Sequence, residues 1–313
     1  MIYGGVPDAS LLTFSDAERS PLSIRAKALV FFDPRSRRLR DEIEQLAVQR
    51  QPLLIVGETG TGKELLARHA HGCSEREGLF VPVSCSAIST IRGDVELFGY
   101  TAGTARASAA SRAGWFGSAN GGTLYLDEIC DLPLGLQGAL LSAMETGEVL
   151  RAGARQPTPV DVRLIAATSV DLHLATEAGK FDAGLYRYLR DGRVELPPLR
   201  ERVGDILPMA EYFLRVHAQR LGLALPQISV IAQRLLEHYA WPGNTRELEN
   251  AIHFALLISR GETLLPTHFH LPEPLAHLES ELFRLKAALD RTQLLALQRL
   301  LQRVDAELAL ALR

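Results

Sequence analysis

Short apolar runs bounded by turn or charged residues punctuate the chain from Leu29 onward: 52–56 (PLLIV), 80–84 (FVPVS), 123–127 (TLYLD) and 162–168 (VRLIAAT). Each has the length of one buried strand, and the segments between them carry apolar residues at helical spacing. Near-continuous apolar strands alternating with helices predict a three-layer α/β domain, with helices on both faces of a mainly parallel sheet. The pattern changes after the turn-rich stretch 197–205. Ile206, Met209, Phe213 and Val216 recur at intervals of three and four, and helical stretches follow at 231–239 and 246–259, which predicts a small helical lid. Farther on, Leu282, Leu285, Leu289, Ala296 and Leu300 mark a long amphipathic helix. The start of the chain, with Pro7, Pro21 and scattered Ser and Asp, has no period and reads as a mobile arm. The expected organisation is an arm over 1–28, an ATPase-like unit over 29–260 (α/β part 29–200, lid 201–260) and a C-terminal helical segment over 275–313.

Composition narrows the reading. With 313 residues, 47% hydrophobic and 23% charged, the chain can bury one large or two modest cores. A formal net charge of -3 excludes nucleic-acid binding by bulk electrostatics alone. The one dense basic cluster, Arg35, Arg37, Arg38 and Arg40, is followed directly by Asp41, Glu42 and Glu44 and reads as a solvated helix face. Cys73, Cys85 and Cys130 form no CxxC pair and no apolar run is long enough to span a bilayer, so a cytoplasmic protein without a membrane partner is expected. His69, His71 and Cys73 share one predicted helix with no second ligand pair nearby in sequence, and a metal site is not expected there.

Candidate chemistry begins where the first of these strands ends. Residues 57–64 read Gly-Glu-Thr-Gly-Thr-Gly-Lys-Glu between a predicted strand and a predicted helix, the setting of a P-loop. Gly57, Gly60 and Gly62 let successive backbone N–H groups curl around phosphate oxygens, and Lys63 neutralises those oxygens at the positive end of the helix. Glu58, Thr59, Thr61 and Glu64 complete the candidate ATP-binding loop. Glu64 stands where P-loops carry the Ser or Thr that reaches Mg²⁺, so the ion needs a second carboxylate. Strand 123–127 supplies one by ending in Asp127 and Glu128. Asp127 is the candidate ligand for Mg²⁺ bound with ATP, and Glu128 would orient or deprotonate the attacking water. Lys63, Asp127 and Glu128 are the candidate catalytic set.

Six segments now stand in order: GETGTGKELLARHAH, ELFGY, GWFGSANGGTLYLDEI, DVRLIAAT, LPPLRERVGDI and WPGNTRELEN. Together they resemble the AAA+ domain of sigma-54-dependent transcription activators, the bacterial enhancer-binding proteins, over about 29–260. The start of the chain is similar to members without an N-terminal receiver domain, such as regulators of sulfur-source use. The resemblance implies a ring, hexameric in that family, with ATP bound between subunits and hydrolysis driving surface loops against sigma-54 RNA polymerase. It adds Ala119, Asn120, Gly121, Gly122, Thr123, Leu124, Tyr125 and Leu126 to the ATP-binding set. Thr168 is implied as the end of a sensor strand, and Arg246 as a lid arginine reaching the phosphates, with a purely structural ion pair as its alternative.

The departures from the family carry as much information. Where the family has GAFTGA, this chain has Gly103, Thr104, Ala105, Arg106, Ala107 and Ser108. Ala105 removes an aromatic anchor, commonly about 2 kcal/mol or more at an interface, so sigma-54 contact is expected to be weakened. Ser84 replaces an Asn that holds the Walker B glutamate. The pattern FREDLYYRL reads here as 181–189 with Asp182 and Tyr188 at the arginine positions, leaving Arg187, one residue out of register, as the candidate arginine finger. Slow hydrolysis follows as an expectation. Residues 304–313 read either as the start of an incomplete helix-turn-helix, through which DNA would be contacted, or as the end of a helical hairpin. Two functions are carried forward: an ATP-hydrolysing, ring-forming transcription regulator, and a nucleotide-binding regulatory or scaffold protein with little turnover.

Overall fold

The computed structural model describes residues 11–13, 28–102 and 111–271. The stretch 103–108, expected to contact sigma-54, and the C-terminal segment 275–313 lie outside the described residues. A short antiparallel pair opens the fold, β1 (Leu11–Thr13) against β2 (Ala28–Val30). Leu11–Thr13 was expected within a mobile arm and is instead paired. Helix α1 (Pro34–Ala47) follows. Asp33 caps it by accepting the Arg35 N–H, Pro34 presets its first turn, and Ser36, Leu39, Ile43 and Ala47 form its buried stripe. The arginine cluster lies on the other side of this helix, where Arg35 pairs with Glu201 at 2.9 Å and Arg40 with Asp41 at 2.9 Å.

The central sheet is built from β3 (Leu53–Val56), β4 (Phe80–Ser84), β5 (Thr123–Asp127), β8 (Arg163–Thr168) and β9 (Arg193–Glu195). Helix α2 (Lys63–Gly72) connects β3 to β4. Helices α3 (Gly93–Phe98) and α4 (Gly114–Ser118) lie between β4 and β5, and α5 (Leu134–Thr146) follows β5. A two-stranded antiparallel pair, β6 (Glu148–Val149) with β7 (Thr158–Pro159), precedes β8, and α6 (Leu172–Glu177) and α7 (Ala183–Arg190) precede β9. All five strands of the sheet are parallel, in the order β4-β5-β8-β3-β9.

Successive side chains of a strand point to opposite faces, and the core divides accordingly. Leu54, Leu124, Leu126, Leu164 and Ala166 pack on α3, α4, α5 and α7. Leu53, Ile55, Tyr125, Ile165 and Ala167 pack on α1 and α2. This is the three-layer arrangement the apolar runs require. Because β3 pairs with β8 on one side and β9 on the other, the chain leaves β3 at the point where strand order reverses, and the C-terminal edge there is where α/β sheets form ligand clefts.

The lid consists of α8 (Ile206–Leu221), α9 (Val230–His238) and α10 (Asn244–Ser259). A tight turn holds Trp241 and Asn244 in the left-handed region, at φ 50° and 53°. Trp241 is fully buried, donates Nε1–H to the Leu236 carbonyl at 2.8 Å, and so fixes where α10 begins.

Candidate nucleotide site

The loop from Gly57 to Gly62 joins β3 to α2 at the cleft edge. Gly60 and Gly62 occupy the left-handed region, at φ 82° and 102°. A side chain at Gly60 would meet the Gly243 carbonyl of the lid at 2.4 Å, so only glycine admits this approach. Helix α2 opens on Gly62 with no side chain capping it, and the positive end of its dipole faces the cleft. Lys63 is buried and donates to the Gly57 carbonyl at 2.9 Å and to Glu128 Oε1 at 2.9 Å. Glu64 pairs with Arg68 at 2.9 Å.

Asp127 ends β5 and accepts the Tyr125 hydroxyl at 2.8 Å. Burial and the neighbouring Glu128 hold its carboxyl above the usual range, against that hydrogen bond and Lys63, so a cation beside it would relieve an unfavourable charge. Glu128 turns out of the strand at φ 50°, a conformation that costs a non-glycine residue about 1 kcal/mol or more and persists only where contacts hold it. Those contacts are Lys63 and, at the other carboxylate oxygen, the Ser169 N–H (2.8 Å) and hydroxyl (2.9 Å). Burial alone would raise the Glu128 pKa; the bonds from Lys63 and Ser169 outweigh it and bring it below the usual value. Glu128 is thereby kept ionised, as a group that accepts a proton from water must be.

The lid closes on the same loop. Asn244 donates from Nδ2 to Glu58 Oε2 (3.0 Å) and the Thr59 carbonyl (3.2 Å), while the Arg246 N–H reaches the Gly60 carbonyl at 3.3 Å. Arg200 makes a two-pronged pair with Glu58, at 2.6 and 2.9 Å, and lowers its pKa. Buried Arg202 donates to the Thr61 carbonyl at 2.8 Å. The Arg246 side chain is exposed and makes no ion pair among the described residues.

Of the expected site residues, the structure brings together the loop 57–64, Asp127, Glu128 and the first turn of α10 with Arg246. Thr168 ends β8, and its carbonyl accepts the Gly57 N–H at 3.1 Å. Its hydroxyl turns to Val170, and Ser169 is the residue that serves Glu128. Ser84, expected beside Glu128, faces Ser86 at 3.0 Å instead.

Residues 119–126, expected in the ATP-binding set, approach and form β5. Ala119, Asn120, Gly121 and Gly122 lead into β5 from the far edge of the sheet, where Asn120 accepts the Asp161 N–H and Gly121 pairs with Gly78 and Asp161. Thr123 meets His71 near the end of α2 opposite Lys63, about 12 Å away by helical rise. Leu124, Tyr125 and Leu126 are buried in the core. Residues 119–122 lead into β5, residues 123–126 form the strand that carries Asp127, and of these the Tyr125 hydroxyl reaches the Asp127 carboxylate.

Arg187 is exposed on α7, its guanidinium lying back on the Ala183 carbonyl at 3.3 Å. Asp182 caps α7 by accepting the Leu185 N–H at 2.7 Å, and Tyr188 packs half-buried against the core. On either side of the stretch 103–108, Tyr100 and Arg112 pair antiparallel, with backbone bonds of 2.9 and 3.0 Å.

Comparison with known proteins gives a consistent result. The family described as Sigma-54 interaction domain matches residues 29–195, and the AAA+ ATPase lid domain matches 200–283. The sigma-54-dependent transcriptional activator SfnR of Pseudomonas putida is 49% identical over 248 residues, covering 79% of this chain and 68% of SfnR. The response regulator protein FleR of Pseudomonas aeruginosa is 40% identical over 247 residues, covering 79% of this chain and 52% of FleR. The crystal structure of NtrX from Brucella abortus in complex with ATP superposes with a TM-score of 0.71 at 31% identity, over 84% of this chain and 63% of NtrX. The chain thus spans between half and about two thirds of the length of these relatives.

Proposed function

This chain belongs to the sigma-54 interaction domain family of AAA+ ATPases, the family of sigma-54-dependent transcriptional activators, and from that premise we propose that it binds ATP with Mg²⁺ between the P-loop and the lid and hydrolyses it slowly as part of transcription control. The observation that carries the reading is the meeting of Lys63, Glu128 and the first turn of α10 at one glycine loop. When bound, ATP supplies the transferable phosphoryl group and Mg²⁺ the positive charge beside it. The loop 57–62 and the uncapped start of α2 hold the phosphates, and Lys63 exchanges its protein acceptors for phosphate oxygens. Asp127 would be the carboxylate that holds the ion. Glu128, released by Lys63 but still held by Ser169, takes the proton from water. Arg246 reaches in from the lid, so nucleotide binding and lid position move together.

The proposal extends to assembly. Subunits form a ring, hexameric as implied by the family, with Arg187 or Arg190 offered to the neighbouring site. The stretch 103–108 is the surface offered to sigma-54 RNA polymerase, weakened by Ala105 and Arg106. DNA contact belongs to residues beyond those described, and the protein acts in the cytoplasm; among the described residues no helix is long and apolar enough to cross a membrane.

A second reading, a nucleotide-binding regulatory or scaffold protein with little turnover, is favoured by one observation. The family's two arginine positions on α7 are taken by a helix cap, Asp182, and a core-packing Tyr188. Measuring ATP binding and turnover on the parent protein and Glu128→Gln separates the readings. Slow turnover lost in Glu128→Gln, with binding retained, supports the first. Binding with no Glu128-dependent turnover selects the second, and absence of binding sinks both.

A further inference from the structure

Glu44, His69 and Cys73 are gathered from two helices, away from the contacts that join P-loop and lid. The sequence places His69 and Cys73 one turn apart on α2; folding adds Glu44 from α1. His69 Nε2 lies 3.0 Å from Glu44 Oε1, and the Cys73 sulfur lies 3.7 Å from His69 Nδ1 and 3.8 Å from Nε2. All three donor atoms fall within 4.8 Å of one another. A Glu–His hydrogen bond accounts for the first contact but leaves the thiol without a strong partner in the group. We propose that Glu44, His69 and Cys73 form a three-ligand site for a zinc-class divalent cation that ties α1 to α2.

Tetrahedral zinc with bonds of about 2.0 Å to nitrogen and oxygen and about 2.3 Å to sulfur separates its ligand atoms by roughly 3.3 to 3.6 Å. Glu44 Oε1 and His69 Nε2 are close to that at 3.0 Å. The Cys73 sulfur, nearly equidistant from both ring nitrogens, reaches a cation in line with Nε2 by a change of side-chain rotamer, its position one turn after His69 keeping it on the same helix face. One sulfur, one imidazole and one carboxylate are the donors zinc selects, and a water completes the fourth position. Phe31 packs against the His69 ring at 5.8 Å and restrains it. Arg40 opposes the ion, at 4.0 Å from Glu44, but its closer bond is to Asp41 at 2.9 Å. Binding requires the Cys73 thiol to give up its proton to the solvent and the imidazole to present a lone pair to the ion. His71 takes no part, because its Nδ1 is engaged with the Thr123 hydroxyl at 2.9 Å. Since α2 opens with Lys63, an ion here would brace the helix that carries the phosphate-binding lysine.

The test is titration of the full chain, cleared of metal with chelator, with zinc and with cobalt as a spectroscopic reporter. The expected result is one ion per chain, a thiolate-to-cobalt charge-transfer band, protection of Cys73 from thiol reagents and a higher Tm with zinc. Cys73→Ser and His69→Ala should abolish the band, Glu44→Gln should weaken binding while leaving the fold intact, and His71→Ala should change neither. No uptake by the parent, or uptake and band equally strong in Cys73→Ser and His69→Ala, overturns the proposal.

Discussion

Glu128 and its holders set the chemistry at the scale of single residues. Its carboxylate is shared between Lys63 on one oxygen and Ser169 on the other, so the two ends have different roles. Lys63 has alternative partners in phosphate, whereas Ser169 has none and keeps the carboxylate aimed. Ser169→Ala removes the hydroxyl but leaves the N–H, and turnover is expected to fall on the order of tenfold, equivalent to about 1.4 kcal/mol, with ATP affinity nearly unchanged. Equal loss of affinity and turnover in steady-state kinetics would contradict this. The pH dependence has a definite sign. A glutamate whose folded pKa is depressed contributes stability that is present above about pH 4.3, its unfolded value, and is lost as pH falls through the lower folded value. Glu128→Gln should therefore flatten part of the acid limb of the stability curve, measured by denaturant unfolding from neutral pH downward. Lys63, Asp127 and Glu128 were legible in the sequence because motif spacing fixes them. Ser169 was not, because its role depends on β8 ending beside β5, which only the sheet order determines.

Helix α7 decides between competing demands at the scale of one element. Its sequence alternates polar and apolar faces so that Leu185 and Leu189 are buried, Tyr188 is half-buried, and Arg187 and Arg190 are exposed. Asp182 is committed to the cap, and Asp182→Ala should cost about 1 kcal/mol, read as a fall of a few degrees in Tm. An unchanged Tm would show the cap to be dispensable. For the parent protein, turnover per subunit is expected to be nearly independent of protein concentration, because Arg187 is rotated about 100° from the family's arginine position. Exchanging the pair, Arg187→Tyr with Tyr188→Arg, should make turnover rise with concentration and also lower the Tm, since a guanidinium replaces a ring packed on the core. A parent turnover that already climbs steeply with concentration contradicts the reading. The longer elements were legible from periodicity, since β3, β5 and β8 are buried on both faces and read as apolar runs. Strand β9 was not: Arg193 and Glu195 are exposed and only Val194 is buried, so three residues carry no pattern. The His69 and Cys73 pair was visible on α2, but Glu44 belongs to another helix and joins them only through α1–α2 packing.

At the scale of the whole molecule, the described residues form a P-loop fold whose lid is fastened to the loop by direct protein contacts. Glu58 is gripped by Arg200 and Asn244, Thr61 by Arg202, and Gly60 by the backbone of α10. Arg202 is also paired with Asp205, which accepts from the Phe32 and Asp33 N–H groups and from Ser36, so one buried cluster joins the α/β layers to the lid. Arg202→Met would leave Asp205 without its buried counter-charge and is expected to cost about 3–5 kcal/mol in stability. A loss under about 1 kcal/mol in chemical unfolding would show that the cluster is not what joins the two parts. The motif around Arg200 and Arg202 was visible in the sequence, but its grip on the P-loop was not, because the residues are more than a hundred positions apart in the chain. The account as a whole stands on the cleft between loop and lid being an ATP site with Lys63 at its centre. Isothermal titration of the parent and Lys63→Ala with a non-hydrolysable ATP analogue and Mg²⁺ tests this most directly: saturable binding by the parent and loss of it in a folded Lys63→Ala is the expected result, and equal binding by both proteins would contradict it.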